Sequence, residues 1–185
     1  MSNPMREIMV EKATVNICIG EPGERLEKAK ALLESLTGKK AIKTKTHRRS
    51  TFGVPKGREI GTIVTLRGSD AEEFILRTLK AKDMKLKASS FDKEGNFSYG
   101  IHEHIEIPGT SYDPEIGIMG LEVAVTLCRP GFRIRRRRIP SRIGKKHRIT
   151  KEEAIQFVKE KFGVEVVCRR SANHRDAGNV EELEV

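Results

Sequence analysis

Between Arg129 and Arg148 the chain carries ten Lys and Arg residues and no Asp or Glu; a second stretch, Lys43 to Arg58, carries six more, again without an acid. These residue types contact phosphate: a guanidinium binds phosphate oxygens in pairs and stacks on bases, whereas an ammonium acts as a compact point charge. Setting those sixteen aside leaves 20 basic against 26 acidic residues, so a formal net charge of +10 becomes −6 for the remainder. A mildly acidic body with two concentrated cationic segments implies a polyanion, and nucleic acid is the leading partner.

In the arm, RPGFRIRRRRIPSRIGKKHR, the candidate phosphate contacts are Arg133, Arg135, Arg136, Arg137, Arg138, Arg142, Lys145, Lys146 and Arg148. Pro130, Gly131, Pro140 and Gly144 interrupt it, which predicts an extended excursion rather than a helix. Neutralising six phosphates there predicts a log–log salt slope of about −4 to −5. Nothing in the arm predicts base reading; its role is positioning.

The loop from Lys43 to Arg58 presents Lys45, His47, Arg48, Arg49, Lys56 and Arg58 around a tip containing Phe52. A glycine-rich basic loop invites comparison with a phosphate-cradling P-loop, which needs G-x-x-x-x-G-K-S/T. Gly53 and Gly57 are four apart rather than five, and Arg58-Glu59 follows where Lys-Ser/Thr should stand. Nucleotide hydrolysis is therefore poorly supported.

Other candidate chemistry is thinner. His102-x-His104 on an expected strand would place both imidazoles on one face, but two histidines are too few for a metal site. A satisfied surface pair, or an RNA contact, is the better reading. Asp113 and Glu115 form a carboxylate pair in a Pro-containing loop, with no base or nucleophile nearby in sequence. Cys18, Cys128 and Cys168 are single and widely separated, which argues against a zinc ribbon or disulfide framework; Cys18 and Cys128 read as small buried thiols. No catalytic constellation, metal site or cofactor is expected.

The hydrophobic fraction is 37% and the charged fraction 34%, with no Trp and two Tyr. That composition argues against an aromatic platform for stacking bases. No apolar run approaches the roughly 20 residues that span a bilayer, and no signal peptide opens the chain. The expected location is cytoplasmic, with no membrane partner. A single RNA-binding domain is expected over 1–167, with 168–185 a disordered tail.

The elements that must hold these segments follow from periodicity. Alternation over 9–18 predicts a strand. Leu26, Ala29, Leu32, Leu33 and Leu36 then mark one face of a helix that Gly38 stops. Residues 40–46 read as a short strand and 59–66 as another. A helix capped by Ser69 or Asp70 buries Ala71, Phe74, Ile75, Leu76 and Leu79. Residues 82–96 are mixed, 97–107 form a strand, and 120–128 form the clearest strand. Thr150 with Glu152 or Glu153 makes a capping box for a last helix, with Ala154, Ile155, Phe157, Val158 and Phe162 inward; Gly163 ends it. Residues 164–167 add a short edge strand. The fold class is α+β, a mostly antiparallel sheet with helices on one face.

One set of residues carries a resemblance. Leu33-x-x-Leu36-Thr37-Gly38-Lys39-Lys40-Ala41-Ile42-Lys43-Thr44-Lys45-Thr46 is similar to the signature of the large-subunit ribosomal protein number five family, which binds 5S rRNA. Val15 to Glu21, Ile60 to Gly68, Ser90 to Phe97 and Tyr112 to Glu115 resemble further blocks of that family in order, and the Arg-rich arm resembles the archaeal branch. Lys39 stands where the signature carries Gln or Val.

The resemblance implies a structural protein of the large subunit's central protuberance. It would clamp 5S rRNA beside a neighbouring 5S-binding ribosomal protein, approach P-site tRNA, and bridge to a protein of the small-subunit head. It implies 5S rRNA contacts at Asn16, Thr37, Lys39, Lys40 and Lys43. It implies a tRNA-facing loop of Lys45, Arg48, Arg49, Lys56 and Arg58, and an arm buried in large-subunit rRNA. The alternatives are an RNA-modifying or nucleotide-using enzyme with basic substrate arms, and a free RNA chaperone.

Overall fold

The computed structural model describes residues 3–49, 53–114 and 116–167. Phe52 at the loop tip, Glu115, Cys168 and the tail 168–185 lie outside the described residues, together with the expectations that rest on them.

Strand β1 (Met9–Cys18) buries Val10, Ala13, Val15 and Ile17 and turns Thr14 and Asn16 outward, as its alternation requires. It is the centre of a five-stranded antiparallel sheet of order β2-β3-β1-β6-β5, with β2 Ile42–Lys45, β3 Glu59–Leu66, β5 Phe97–Ile101 and β6 Leu121–Cys128. Strand β4 (Lys85–Lys87) pairs in parallel with β7 (Glu165–Val167) as a separate two-stranded ribbon.

Three helices supply the second layer. In α1 (Glu24–Thr37) the five leucine and alanine positions read from sequence are all buried, and Gly38 closes the helix at φ 62°. Only a residue without Cβ takes that left-handed turn at low cost. In α2 (Ser69–Lys80) the buried face is Ala71, Phe74, Ile75, Thr78 and Leu79. In α3 (Lys151–Phe162) the Thr150 hydroxyl accepts from the Glu153 N–H at 3.3 Å, and the Glu153 carboxylate accepts from the Thr150 N–H at 2.9 Å. The expected capping box is present. Helix side chains and the inward face of the sheet form one apolar cluster, the mixed α+β arrangement that the sequence implies.

Several local expectations are corrected. No side chain caps α2; Gly68 precedes it at φ 64° and Ser69 is already its first residue. Leu76 is exposed, because Thr78, bonded at 2.7 Å to the Tyr99 hydroxyl, takes the inward position. Cys18 is exposed, since β1 ends there with its outward phase, and Cys128 is half-buried. Strand β5 stops at Ile101, where its partner β6 begins at Leu121. Beyond it His104 lies in a single 3-10 turn, buried, with Nδ1 accepting from the Met119 N–H at 3.4 Å, while His102 is exposed. The two imidazoles do not form a surface pair.

At the β3 edge of the bulge with β2, Gly61 admits no side chain: a Cβ would lie 2.9 Å from the Thr44 hydroxyl and 3.0 Å from the Ile17 carbonyl. Gly61→Val is therefore expected to destabilise the fold by about 1–3 kcal/mol, the usual cost of overpacking. A urea unfolding curve checks this; an unchanged midpoint would remove close approach as the reason for a glycine here.

Candidate nucleic-acid interface

The helices cover one face of the sheet and leave the other open. On the open face, register places Ile42, Ile63, Asn16, Glu122 and Gly100 in one row across the five strands. The next row runs Thr65, Thr14, Ala124 and Ser98. These rows mix Thr, Ser and Asn side chains with two isoleucines and the Glu122 carboxylate and hold no aromatic ring, so the face offers hydrogen-bonding groups rather than a platform for stacked bases. Asn16 stands near its middle and donates from Nδ2 to the Glu122 carboxylate at 3.4 Å.

The other residues assigned to 5S rRNA do not share that face. Thr37 is half-buried at the end of α1, its hydroxyl donating to the Leu33 carbonyl at 2.6 Å. Lys39 pairs with Asp70 at 2.7 Å, and this ammonium holds the Asp70 carboxyl below its ordinary value. Lys40 is exposed. Lys43 points toward the helix layer, bonded to Glu27 of α1 and 3.6 Å from Glu59; the Glu27 carboxylate raises its pKa. The structure thus divides the expected set into a sheet-face group, Asn16, and a helix-end group, Thr37 to Lys43. Lys43 is spent largely on internal pairing.

The loop is different. Lys45 lies 3.8 Å from Glu59, but Arg48, Arg49, Lys56 and Arg58 are exposed. Its base is fixed by Thr46, whose hydroxyl donates to the Pro55 carbonyl at 2.9 Å and whose N–H donates to the Arg58 carbonyl at 2.9 Å. A closed neck therefore presents a cationic head to solvent.

The arm contains no helix or strand, in keeping with its prolines and glycines, only single 3-10 turns at Phe132–Arg135 and Lys145–His147. Both ends are tied to the body. Arg129 is 5% exposed, donates to Glu153 at 2.9 Å and reaches the carbonyls of His147 and Arg148. The Thr150 N–H bond, followed by this guanidinium, holds the Glu153 carboxyl below its ordinary value of 4.5. Ile143 and Ile149 are buried. Arg135 pairs with Glu94 at 3.1 Å, and Arg136 forks onto Glu11, one bond being 2.9 Å. Arg133, Arg137, Arg138, Arg142, Lys145, Lys146 and Arg148 remain exposed around this frame. Carboxylates thus hold two arginines of the arm where phosphate oxygens would otherwise sit.

Sequence reasoning passed over a third cationic group. Lys82, Lys85 and Lys87 flank a cleft of about 720 Å³ between the open sheet face and β4. The signal was present in Lys82 to Lys87, KDMKLK, but its position beside β5 emerges only from the topology. Among the described residues there is no group of three His, Cys, Asp or Glu side chains able to hold a metal. No helix among them is long and apolar enough to cross a membrane.

Comparison with known proteins agrees with this architecture. A family model described as "Ribosomal protein L5" matches residues 3–54, and a second, described as the C-terminus of the same ribosomal family, matches 59–157. The "Large ribosomal subunit protein uL5" of Sulfurisphaera tokodaii is 56% identical over 89% of this chain and 95% of its own length. The protein of the same name from Sulfolobus acidocaldarius is 52% identical over 89% of this chain and 94% of its own. That from Nanoarchaeum equitans is 49% identical over 90% of this chain and 100% of its own. Such matches remove the enzyme alternative, and they agree with the archaeal character of the arm. The chain belongs to the ribosomal protein L5 family, in its archaeal form, a structural family and not one of enzymes.

Proposed function

We propose that the chain is a structural constituent of the large ribosomal subunit, ribosome-bound in the cytoplasm, that holds 5S rRNA in the central protuberance. Residues 1–167 work as one RNA-binding domain. Asn16 on the open sheet face and the helix-end residues Thr37, Lys39 and Lys40 meet 5S rRNA, with Lys43 bracing the strand beneath them. The head of the 43–58 loop touches P-site tRNA, and the arm is buried in large-subunit rRNA. A neighbouring 5S-binding ribosomal protein and a small-subunit head protein at an intersubunit bridge complete the set of partners.

The observation that carries this reading is the separation of cations into a narrow-necked loop and a broad, tied-down arm. Exposed phosphate contacts are individually weak, which suits a tRNA that must leave. The arm, with more cations over a fixed frame, suits a permanent partner.

The test is charge reversal at Arg48 and Arg49. The double variant is expected to keep 5S rRNA affinity within about twofold, because losing a phosphate contact affects only the RNA that makes it. Translation steps that need P-site tRNA are expected to slow when the variant is reconstituted into ribosomes. Equal loss of both activities would contradict the division of labour.

A further inference from the structure

The cleft beside β5 carries an assignment that the phosphate-contact reading leaves out. Its floor is the open sheet face, Thr14, Asn16, Ser98 and Glu122; its rim is the turn bearing Lys82, Lys85 and Lys87. The volume, about 720 Å³, lies within the range of ligand pockets, roughly 300–1,000 Å³.

The rim is fixed rather than loose. Asp83 and Met84 both hold positive φ, 53° and 54°, a left-handed pair that ordinary side chains adopt at a cost of about 1–3 kcal/mol each. The Met84 N–H donates to the Leu79 carbonyl at 3.0 Å, and the Glu165 N–H donates to the Met84 carbonyl at 2.8 Å. Lys82 is bonded from Nζ to the Gly100 carbonyl at 2.9 Å, which covers the edge of β5. Lys85 and Lys87 are left exposed, two residues apart on one strand and therefore on the same side of it.

The floor contains a group that a purely phosphate-binding surface would avoid. Glu122 is exposed in the cleft, and its carboxylate meets the Asn16 amide rather than a cation. A phosphate strand would be repelled from it, so the phosphates belong on the lysine rim and something that donates hydrogen bonds belongs over the floor. A carboxylate accepts only, through two oxygens side by side. Among the bases, guanine offers two adjacent donors, N1–H and the N2 amine, to match that fork.

We infer that this cleft reads an unpaired guanine of RNA, with Glu122 accepting from its N1–H and N2 amine, Asn16 orienting the carboxylate, and Lys85 and Lys87 holding the flanking phosphates. Asp83, also on the rim, confines the phosphates to the lysine pair by repulsion. The inference rests on the RNA-binding reading above and adds base specificity to it.

The experiment measures binding of the full chain to fluorescein-labelled ten-nucleotide RNAs of alternating uridine with guanosine, inosine or adenosine. The guanosine RNA is expected to bind about tenfold more tightly than the adenosine RNA, with inosine, which lacks the N2 amine, between them. Glu122→Gln is expected to abolish the ranking. Lys85→Gln with Lys87→Gln is expected to weaken all three alike and reduce the salt slope by about 1.4. Equal affinity of the unaltered chain for guanosine and adenosine RNAs, or a ranking that survives Glu122→Gln, overturns the inference. So does tight binding to 5S rRNA with no binding to any ten-nucleotide RNA. Failure to bind 5S rRNA as well would instead overturn the proposed function.

Discussion

Replacing Arg137, Arg138, Arg142, Lys145 and Lys146 together by Gln is expected to flatten the salt dependence of large-subunit rRNA binding by about 4 units of log–log slope, close to one for each phosphate contact removed. Affinity near physiological salt falls with it, by roughly a hundredfold or more. These five side chains are exposed, whereas Arg129, Arg135 and Arg136 are already engaged with Glu153, Glu94 and Glu11. The fold should survive the replacement, because none of the five closes an internal contact. A filter-binding series in KCl, with circular dichroism as the control for folding, checks both halves. A slope unchanged from the unaltered chain would show that the arm does not meet phosphate.

The second large effect concerns what holds the arm in place. Glu153→Ala is expected to lower stability by about 3–5 kcal/mol, because it leaves the buried Arg129 guanidinium without its counter-charge and removes half of the α3 capping box. The Glu153 side chain is itself 41% exposed, so water moderates the loss and the lower end of that range is expected. For a chain of this size the change corresponds to a melting temperature lower by roughly 10 °C. Glu152→Ala, one residue away and exposed, is the control and should change little.

The same carboxylate sets a pH response. Its folded pKa lies below the ordinary 4.5, so its contribution is fully present above that value and is lost as pH falls through the folded pKa. Glu153→Gln should therefore show a shallower loss of stability below pH 4.5 than the unaltered chain. Identical acid limbs in thermal melts across that window would remove Glu153 as the anchor of the arm.

What the sequence revealed, and what it withheld, follows from the range of the interactions involved. Alternation in 9–18 and the leucine spacing in 26–36 are local patterns, and both elements stand where those patterns put them. The capping box at Thr150 is equally local, and it is present. Leu76 and Cys18 are apolar and read as buried, yet the phase of each element turns them outward: Thr78, bonded to Tyr99 21 residues away, holds the inward position of α2, and β1 ends on an outward position. Strand β4 is three residues long and gains its pairing from β7, so no local signal marks it.

The candidate site shows the same division. Exposed cations at Arg48, Arg49, Lys56 and Arg137 are visible as charge alone. The partners that engage Lys43 and Arg136 internally are Glu27 and Glu11, and the second of these is 125 residues distant in sequence. The open sheet face joins Asn16 to Glu122 and Ser98 only once the strand order is known.

The most direct measurement is a competition titration of the purified full chain against labelled 5S rRNA, with unlabelled tRNA as competitor at matched ionic strength. Retention of 5S rRNA against a roughly tenfold molar excess of tRNA is the expected result, since a specific site outcompetes charge-driven binding by far more than that. Displacement of 5S rRNA by an equimolar amount of tRNA would mean that the cations grip any folded RNA alike, and the assignment to 5S rRNA would fail.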